Sequence, residues 1–435
     1  MKKWIYIVAL SFIVVGCLDE LDIGIGSANR TQGILIVEGG ITNELKNHSV
    51  ILSRIDTLVD LGIDSIFNPF TPVRDINRDL VPYEENATVT VTDANGTVFE
   101  FEEGSPGIYE SRTPFAAEMD NSYQLNIVTD DGRGFSSEPM SVEGVSEIAD
   151  IYAEKTISGT GAEGVGIFID NNSISGNVQN LRFTYDETFK IIAPFWAEKD
   201  FLLTNYDPCA LPVPTYDLEI VVREQEEQVC FGNESSNTII QAEQNNPESD
   251  GIERFMVRFI GRENYILSHR YSIEVTQMVS GAASYGFYDQ LNSFSETGNV
   301  FSQVQPGFLE GNLSADNGEQ GTIIGFFDVV SVSKRRLFFN YSDFYPNEPL
   351  PPYVFNCDEI SAPESHTSFC FSGPGGRNDC PQSVIERVNL DLISYVRAND
   401  GNIGVCPGPH VFVFRPCGDC TTLGSNEIPE FWIEE

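Results

Sequence analysis

The feature that most restricts this chain is a strict two-residue alternation. Ala87-Thr88-Val89-Thr90-Val91-Thr92 places an apolar side chain at every second position, the period of a half-buried strand. Asp93-Ala94-Asn95-Gly96 follows, and Asn-Gly tolerates the positive φ of a tight hairpin. The pattern resumes in Val98-Phe99-Glu100-Phe101, Gly107-Ile108-Tyr109-Glu110 and Tyr123-Gln124-Leu125-Asn126-Ile127-Val128; Asp130-Asp131-Gly132 then turns into Phe135. Upstream, residues 33–53 read as two strands around a turn. Short strands at regular spacing, punctuated by Gly and Asn, predict an immunoglobulin-like β-sandwich over 30–145. Residues 54–86 carry Pro69, Pro72 and Pro82 and read as a long loop.

The remainder, 146–435, is expected to be a larger β-rich domain with few helices and a disulfide-rich C-terminal part. Glu143 to Glu154 reads as a crossing into it. Leu181–Tyr185, Phe189–Ile192, Glu253–Ile260, Tyr271–Val275, Thr322–Phe327 and Arg336–Phe339 read as separate strands. Ala282, Tyr285, Tyr288 and Leu291 recur at helical spacing, which predicts one amphipathic helix over 281–295 with an aromatic stripe turned to the core. With 30 Phe and 16 Tyr the chain has material for real cores, although its net charge is −40. Such an acidic surface repels nucleic acid and anionic headgroups.

The chain starts Met1-Lys2-Lys3 and continues as an apolar run from Trp4 to Val15. That run is shorter than the ~20 residues of a membrane-spanning helix and fits the h-region of a secretory signal. Val14-Val15-Gly16-Cys17 resembles the lipobox of bacterial lipoproteins. On that resemblance 1–16 is the signal peptide, Cys17 is the acylated first residue of the mature chain, and 17–29 is an acidic tether. More than one acyl chain is needed for stable anchoring, and the multiply acylated cysteine of such lipoproteins supplies it. Asp19, Glu20 and Asp22 resemble the signal that exports lipoproteins of Bacteroidota to the cell surface.

Setting Cys17 aside leaves eight of the nine cysteines: Cys209, Cys230, Cys357, Cys370, Cys380, Cys406, Cys417 and Cys420. An even number outside the cytoplasm points to disulfides. Six lie between 357 and 420, where Pro and Gly are frequent and cross-links stand in for a thin core. Cys209 with Cys230 is the plausible local pair; pairing among the other six stays open. Cys417-Gly418-Asp419-Cys420 is a C-x-x-C, for which zinc binding with Cys406 and His410, or thiol exchange, competes with a structural reading. The structural reading prevails, because no thioredoxin-like βαβ pattern surrounds the motif.

Catalytic signatures are missing. His48, His269, His366 and His410 are the four histidines, and none belongs to an H-E-x-x-H. There is no G-x-S-x-G elbow and no P-loop. Gly159-Thr160-Gly161-Ala162-Glu163-Gly164 matches G-x-G-x-x-G, but a strand follows where a dinucleotide site needs a helix; it reads as a turn. Asp75, Asn77 and Asp79 alternate like Ca²⁺ ligands, yet Leu80 stands where the loop needs Gly and Asn86 where it needs Glu. No cofactor is expected, and the charge leaves only incidental Ca²⁺ binding open. Among 65 acidic residues nothing singles out a glycosidase-type pair. Asp56-Thr57-Leu58 and Asp64-Ser65-Ile66 resemble the short O-glycosylation motif of Bacteroidota envelope proteins, with Thr57 and Ser65 as acceptors.

Several segments then converge: Ile36–Thr42, Arg270–Gln277, Pro306-Gly307, Gly311-Asn312-Leu313, Arg415–Cys420 and Pro429-Glu430-Phe431-Trp432. Together with the lipobox they resemble an uncharacterised lipoprotein family of Bacteroidota, described as a domain of unknown function. The closing C-x-D-C with its terminal Pro-acid-Phe-Trp is the most specific part. One departure is Phe231 after Cys230, where Trp is expected. Members are often encoded beside TonB-dependent receptors. The resemblance therefore implies an outer-membrane lipid anchor and an accessory or binding role beside an outer-membrane β-barrel, with a TonB-dependent nutrient transporter as the expected partner. A structural subunit of an envelope assembly or secretion complex is the alternative, and a carboxylate-dependent hydrolase a remoter one.

Overall fold

The computed structural model describes residues 33–55, 83–208, 210–244, 251–296, 309, 311–316, 323–364, 383–401, 403 and 407–434. β1 (Ile34–Thr42) and β2 (Ser49–Ile55) form the antiparallel pair expected from 33–53. β3 (Thr88–Asp93), β4 (Val98–Ser105), β5 (Ile108–Ser111), β6 (Ser122–Val128), β7 (Gly134–Ser137) and the short β8 (Met140–Ser141) follow. Alternation sends Val89 and Val91 inward. Gly96, at φ +83°, makes the β3–β4 turn, a conformation that glycine adopts without steric cost. Strand order is β1-β2-β5-β4 on one side and β3-β6-β7 on the other, joined through β3–β4 pairing. That is the Greek-key order of a seven-stranded immunoglobulin-like sandwich, as the alternation predicts. Leu35, Leu52, Val91, Leu125 and Phe135 fill its core, each buried aliphatic or aromatic side chain contributing about 1.5–3 kcal/mol.

Beyond it the chain is also β-rich. β9 (Gly144–Ile157) and β10 (Glu163–Gly176) make a long hairpin. The glycine motif at 159–164 spans its turn, with Gly161 at φ +88°, so a strand and not a phosphate-binding helix follows. The crossing expected at 143–154 is thus a strand. β11 (Asn180–Ile192) is one strand where two were expected. β12 (Lys199–Asp207) and β13 (Thr215–Val222) form a separate hairpin. Next come β14 (Val229–Ser235), β15 (Ile240–Glu243), β16 (Phe255–Gly261) and β17 (Arg270–Ser280). The expected helix is present as α1 (Ala282–Glu296). Its inward positions are Ser284 and Phe287, one step off the 282-285-288-291 stripe, because Phe287 packs on Phe326. β18 (Leu313–Ala315) and β19 (Ile323–Asn340) complete the central sheet.

β19 is a single 18-residue strand where two late strands were expected. Its first part, Ile323–Val330, runs parallel to β1, and its second part, Ser331–Asn340, runs antiparallel to β17. One strand therefore belongs to both halves of the molecule. Phe327 and Val329 enter the immunoglobulin-like core with Leu313. Further along, Phe339 enters a second core, between β14-β11-β17-β19 and the β16-β10-β9 sheet. Gly325 sits against β1 at φ +150°, and a Cβ there would lie 2.1 Å from the Val37 carbonyl oxygen. Gly325→Ala should therefore cost about 1–3 kcal/mol of strain, read as a lowered urea midpoint; an unchanged midpoint would contradict this account of the junction.

After β19 come α2 (Tyr341–Phe344), α3 (Val384–Asn389), β20 (Ile393–Ala398), β21 (His410–Phe414) and α4 (Arg415–Gly418). α2 packs on the second core through Tyr341 and Phe344, and the later elements build a small lobe around Ala362, Val384, Ile393 and Phe412, with Phe201 and Leu218 of the β12–β13 hairpin packed on it. Beneath it lies an ion-pair cluster. Arg223 and Arg415 both reach Asp200, at 2.9 and 3.5 Å, and Arg415 also reaches Asp391 and Asp419 at 3.0 and 2.8 Å.

Candidate functional site

The cysteines tie the C-terminal segment to the second core. Cys230 pairs with Cys420 and Cys357 with Cys417, each at 5.7 Å between Cα atoms. The local Cys209–Cys230 staple does not form: β14 turns Cys230 into the core, where Cys420 meets it. Cys209, Cys370, Cys380 and Cys406 lie outside the described residues. Both sulfurs of the C-x-x-C are committed to other partners, which removes the zinc and exchange readings. His410 directs Nε2 to a Glu364 carboxylate oxygen at 3.0 Å. Asp419 is the reason for the acid in the motif. Its Oδ1 accepts from the Thr421 backbone N–H at 2.9 Å and hydroxyl at 2.5 Å, capping the short turn that begins at Cys420.

From Cys420 the chain wraps the edge of β14. Phe231 and Ser425 exchange backbone hydrogen bonds of 2.7 and 3.0 Å, which covers an otherwise open strand edge. The tail then lies on the opposite face of the sheet. Trp432 packs edge-on between Phe231 and Phe338, at 4.9 and 5.8 Å between ring centroids. Phe231 thus meets the tail's own tryptophan at the position where the resemblance leads one to expect Trp. Arg336 lies 3.6 Å over the centre of the Phe431 ring.

This outer face carries a concentration of cations. Phe189 pairs with Tyr271, and both point into the second core. The neighbouring Lys190 and Arg270 therefore project from the opposite face, beside Phe231 and Asn340, their partners in register. Lys190 donates to the Glu434 carboxylate at 3.0 Å, and this ammonium holds the Glu434 carboxyl below the usual range. Arg270 donates to the Ile433 carbonyl. Next to these contacts lie two adjoining hollows of about 360 and 270 Å³, which share Lys190, Ile192, Ser268, His269 and Leu350. Burial, and then the Lys190 charge, push the His269 imidazole below its ordinary pKa, so it is neutral at pH 7. Its ring has no hydrogen bond to a described residue. One hollow continues over apolar walls from Pro194, Tyr265, Pro351 and Tyr353.

The groove lies at one end of β19, at Asn340. The first described residues lie at the other, where Leu35 pairs with Ile323. At ~3.3 Å per residue the strand separates them by roughly 55 Å.

Inside the second core is a different polar cluster. Glu187, 1% exposed at its side chain, receives both arms of Arg258, at 2.8 and 3.1 Å, and the Tyr271 hydroxyl at 2.5 Å. Burial first, and then the Glu187 charge, raise the Tyr271 phenol well above its ordinary pKa, keeping it a donor. Every member is held by another, which is the signature of a structural network. Among the described residues no three His, Cys, Asp or Glu side chains are placed to hold a metal ion. His48 is likewise structural, buried with Nε2 at 2.9 Å from the Phe115 carbonyl.

Cys17, Asp19, Glu20, Asp22, Thr57 and Ser65 fall outside the described residues. The sequence had not flagged Lys190, Arg270 or Glu434 as a site, and it counted His269 only as one histidine without a motif. A family model described as Domain of unknown function (DUF4249) matches residues 19–336. It takes in the chain from ahead of β1 to within β19 and ends before the C-terminal tail. No curated protein and no solved structure matches the chain.

Proposed function

The chain belongs to the DUF4249 family of domains of unknown function, and from that premise we propose that it is a surface-exposed outer-membrane lipoprotein serving as a binding or accessory subunit of an outer-membrane β-barrel, of the TonB-dependent transporter kind. Cys17 is the attachment point, and Asp19, Glu20 and Asp22 direct the chain outward. The observation that carries the reading is the placement of the groove. The chain leaves its N-terminal segment at one end of β19 and forms the cationic groove at the other. The segment that carries Cys17 thus joins the body at the end opposite the groove, which supports a groove left open to a partner or an incoming solute.

Two measurements test this. Cys17→Ala should move the protein from the membrane to the soluble fraction; retention in the membrane without a partner would sink the anchor assignment. Affinity purification of the tagged wild-type chain from native outer membranes should recover a transport barrel in near-stoichiometric amount. Recovery of an assembly or secretion channel instead would favour a structural subunit of that machine, and recovery of no barrel would overturn the accessory role.

A further inference from the structure

We infer that the groove beside Lys190, His269 and Arg270 is a binding site for a small organic carboxylate with an apolar body. Three independent observations lead there. First, the chemistry of the lining is divided. Arg270 lines only the first hollow and Tyr265, Pro351 and Tyr353 only the second, while Lys190 and Leu350 line both, so a cationic end adjoins an apolar one. The adjoining hollows of about 360 and 270 Å³ match the few hundred Å³ over which small-molecule sites are built. Second, the cations stand out against the rest of the chain, which has 25 basic and 65 acidic residues. A groove with this local sign in so acidic a molecule draws an anion to one place and repels it elsewhere. Third, the groove already holds a carboxylate. Glu434 accepts from Lys190 at 3.0 Å, and the tail's Ile433 carbonyl accepts from Arg270.

The internal carboxylate is weakly held. The Glu434 side chain is 56% exposed, and an exposed ion pair is screened by water and weak. An incoming carboxylate displaces it from Lys190 at small cost and gains what Glu434 lacks, an apolar body against the Tyr265–Tyr353 wall. His269, neutral and without a hydrogen bond to a described residue, supplies one further hydrogen-bonding group between the two hollows. Glu434 is thus a resident competitor for the site.

The full chain in detergent, titrated calorimetrically, tests this with three probes: 4-phenylbutyrate, its neutral counterpart 4-phenyl-1-butanol, and acetate. Phenylbutyrate is expected to bind at least about 10-fold tighter than either of the other two. Lys190→Gln should remove most of the difference between acid and alcohol. Glu434→Gln should act in the opposite direction and tighten phenylbutyrate by about 2- to 5-fold, the size of an exposed ion pair. Both side chains reach solvent, and an unchanged thermal midpoint confirms that the variants are folded. Equal binding of acid and alcohol, no effect of Lys190→Gln, or weaker binding in Glu434→Gln would each overturn the assignment. The titration reads the groove alone, so its failure leaves the barrel partnership standing, and failure to recover a barrel leaves the groove standing.

Discussion

Glu187→Ala should destabilise the protein by about 3–5 kcal/mol, the cost of removing one partner from a buried ion pair. The reason is what remains behind. Arg258 loses both of its carboxylate contacts, and the Tyr271 hydroxyl, which lies in the core, loses its acceptor. Leaving the buried Tyr271 hydroxyl without an acceptor, and the largely buried Arg258 guanidinium without its carboxylate, costs more than the pair contributed. Glu187→Gln keeps an acceptor for one donor and should lose about half as much. The double replacement Glu187→Leu with Arg258→Met should recover much of the loss, since apolar side chains of similar volume often substitute for a buried pair at little cost. Urea denaturation at neutral pH reads all three. A loss below about 1 kcal/mol in Glu187→Ala would mean that water reaches the site and the network is not buried as described.

The second large effect is expected at the clasp. Cys230 and Cys420 are 190 residues apart in sequence, so their bond closes a long ring. In the chain-entropy account a ring of this size constrains the unfolded chain by about 5 kcal/mol, and measured values fall more often at about 2–4. Replacing both cysteines with alanine should lower stability by an amount in that span. The Cys357–Cys417 bond, with a separation of 60, should matter by about 1 kcal/mol less. The clasp also carries the tail to the outer face, so its loss should free Trp432. The emission of the alanine double variant should shift to the red, and Trp432→Phe in the same background should abolish the shift. If Trp432 stayed shielded without the bond, the tail would be held by its aromatic and cationic contacts alone.

What the sequence discloses follows from which forces are local. The immunoglobulin-like strands are legible because each buries one face, so Val89, Val91, Leu125 and Ile127 recur at every second residue. β9 is harder to see because acidic residues at 147, 150 and 154 interrupt its apolar positions. β19 divides into two apparent strands because Lys334, Arg335 and Arg336 break its apolar run. In the fold that break falls just after the strand passes from β1 to β17, where its side chains are more exposed. α1 shows its period but not its inward face, which Phe326 on a distant strand selects. The groove was not legible at all. Lys190, Arg270 and Glu434 each look like ordinary solvated charges, and only the register of β11 and β17, with the tail folded back over them, brings them together. The Cys230–Cys420 bond is hidden for the same reason: proximity in sequence favours Cys209, and the fold does not.

The shared strand has a mechanical consequence. A pull between Ile34 and Asn340 would not stretch a linker between two bodies, because β19 carries the tension through its covalent backbone from one sandwich into the other. The hydrogen bonds between β1 and β19 lie across that line of force, so they are loaded together in shear and do not unzip one at a time. A load applied between these two ends of the described body is in this way carried along the shared strand.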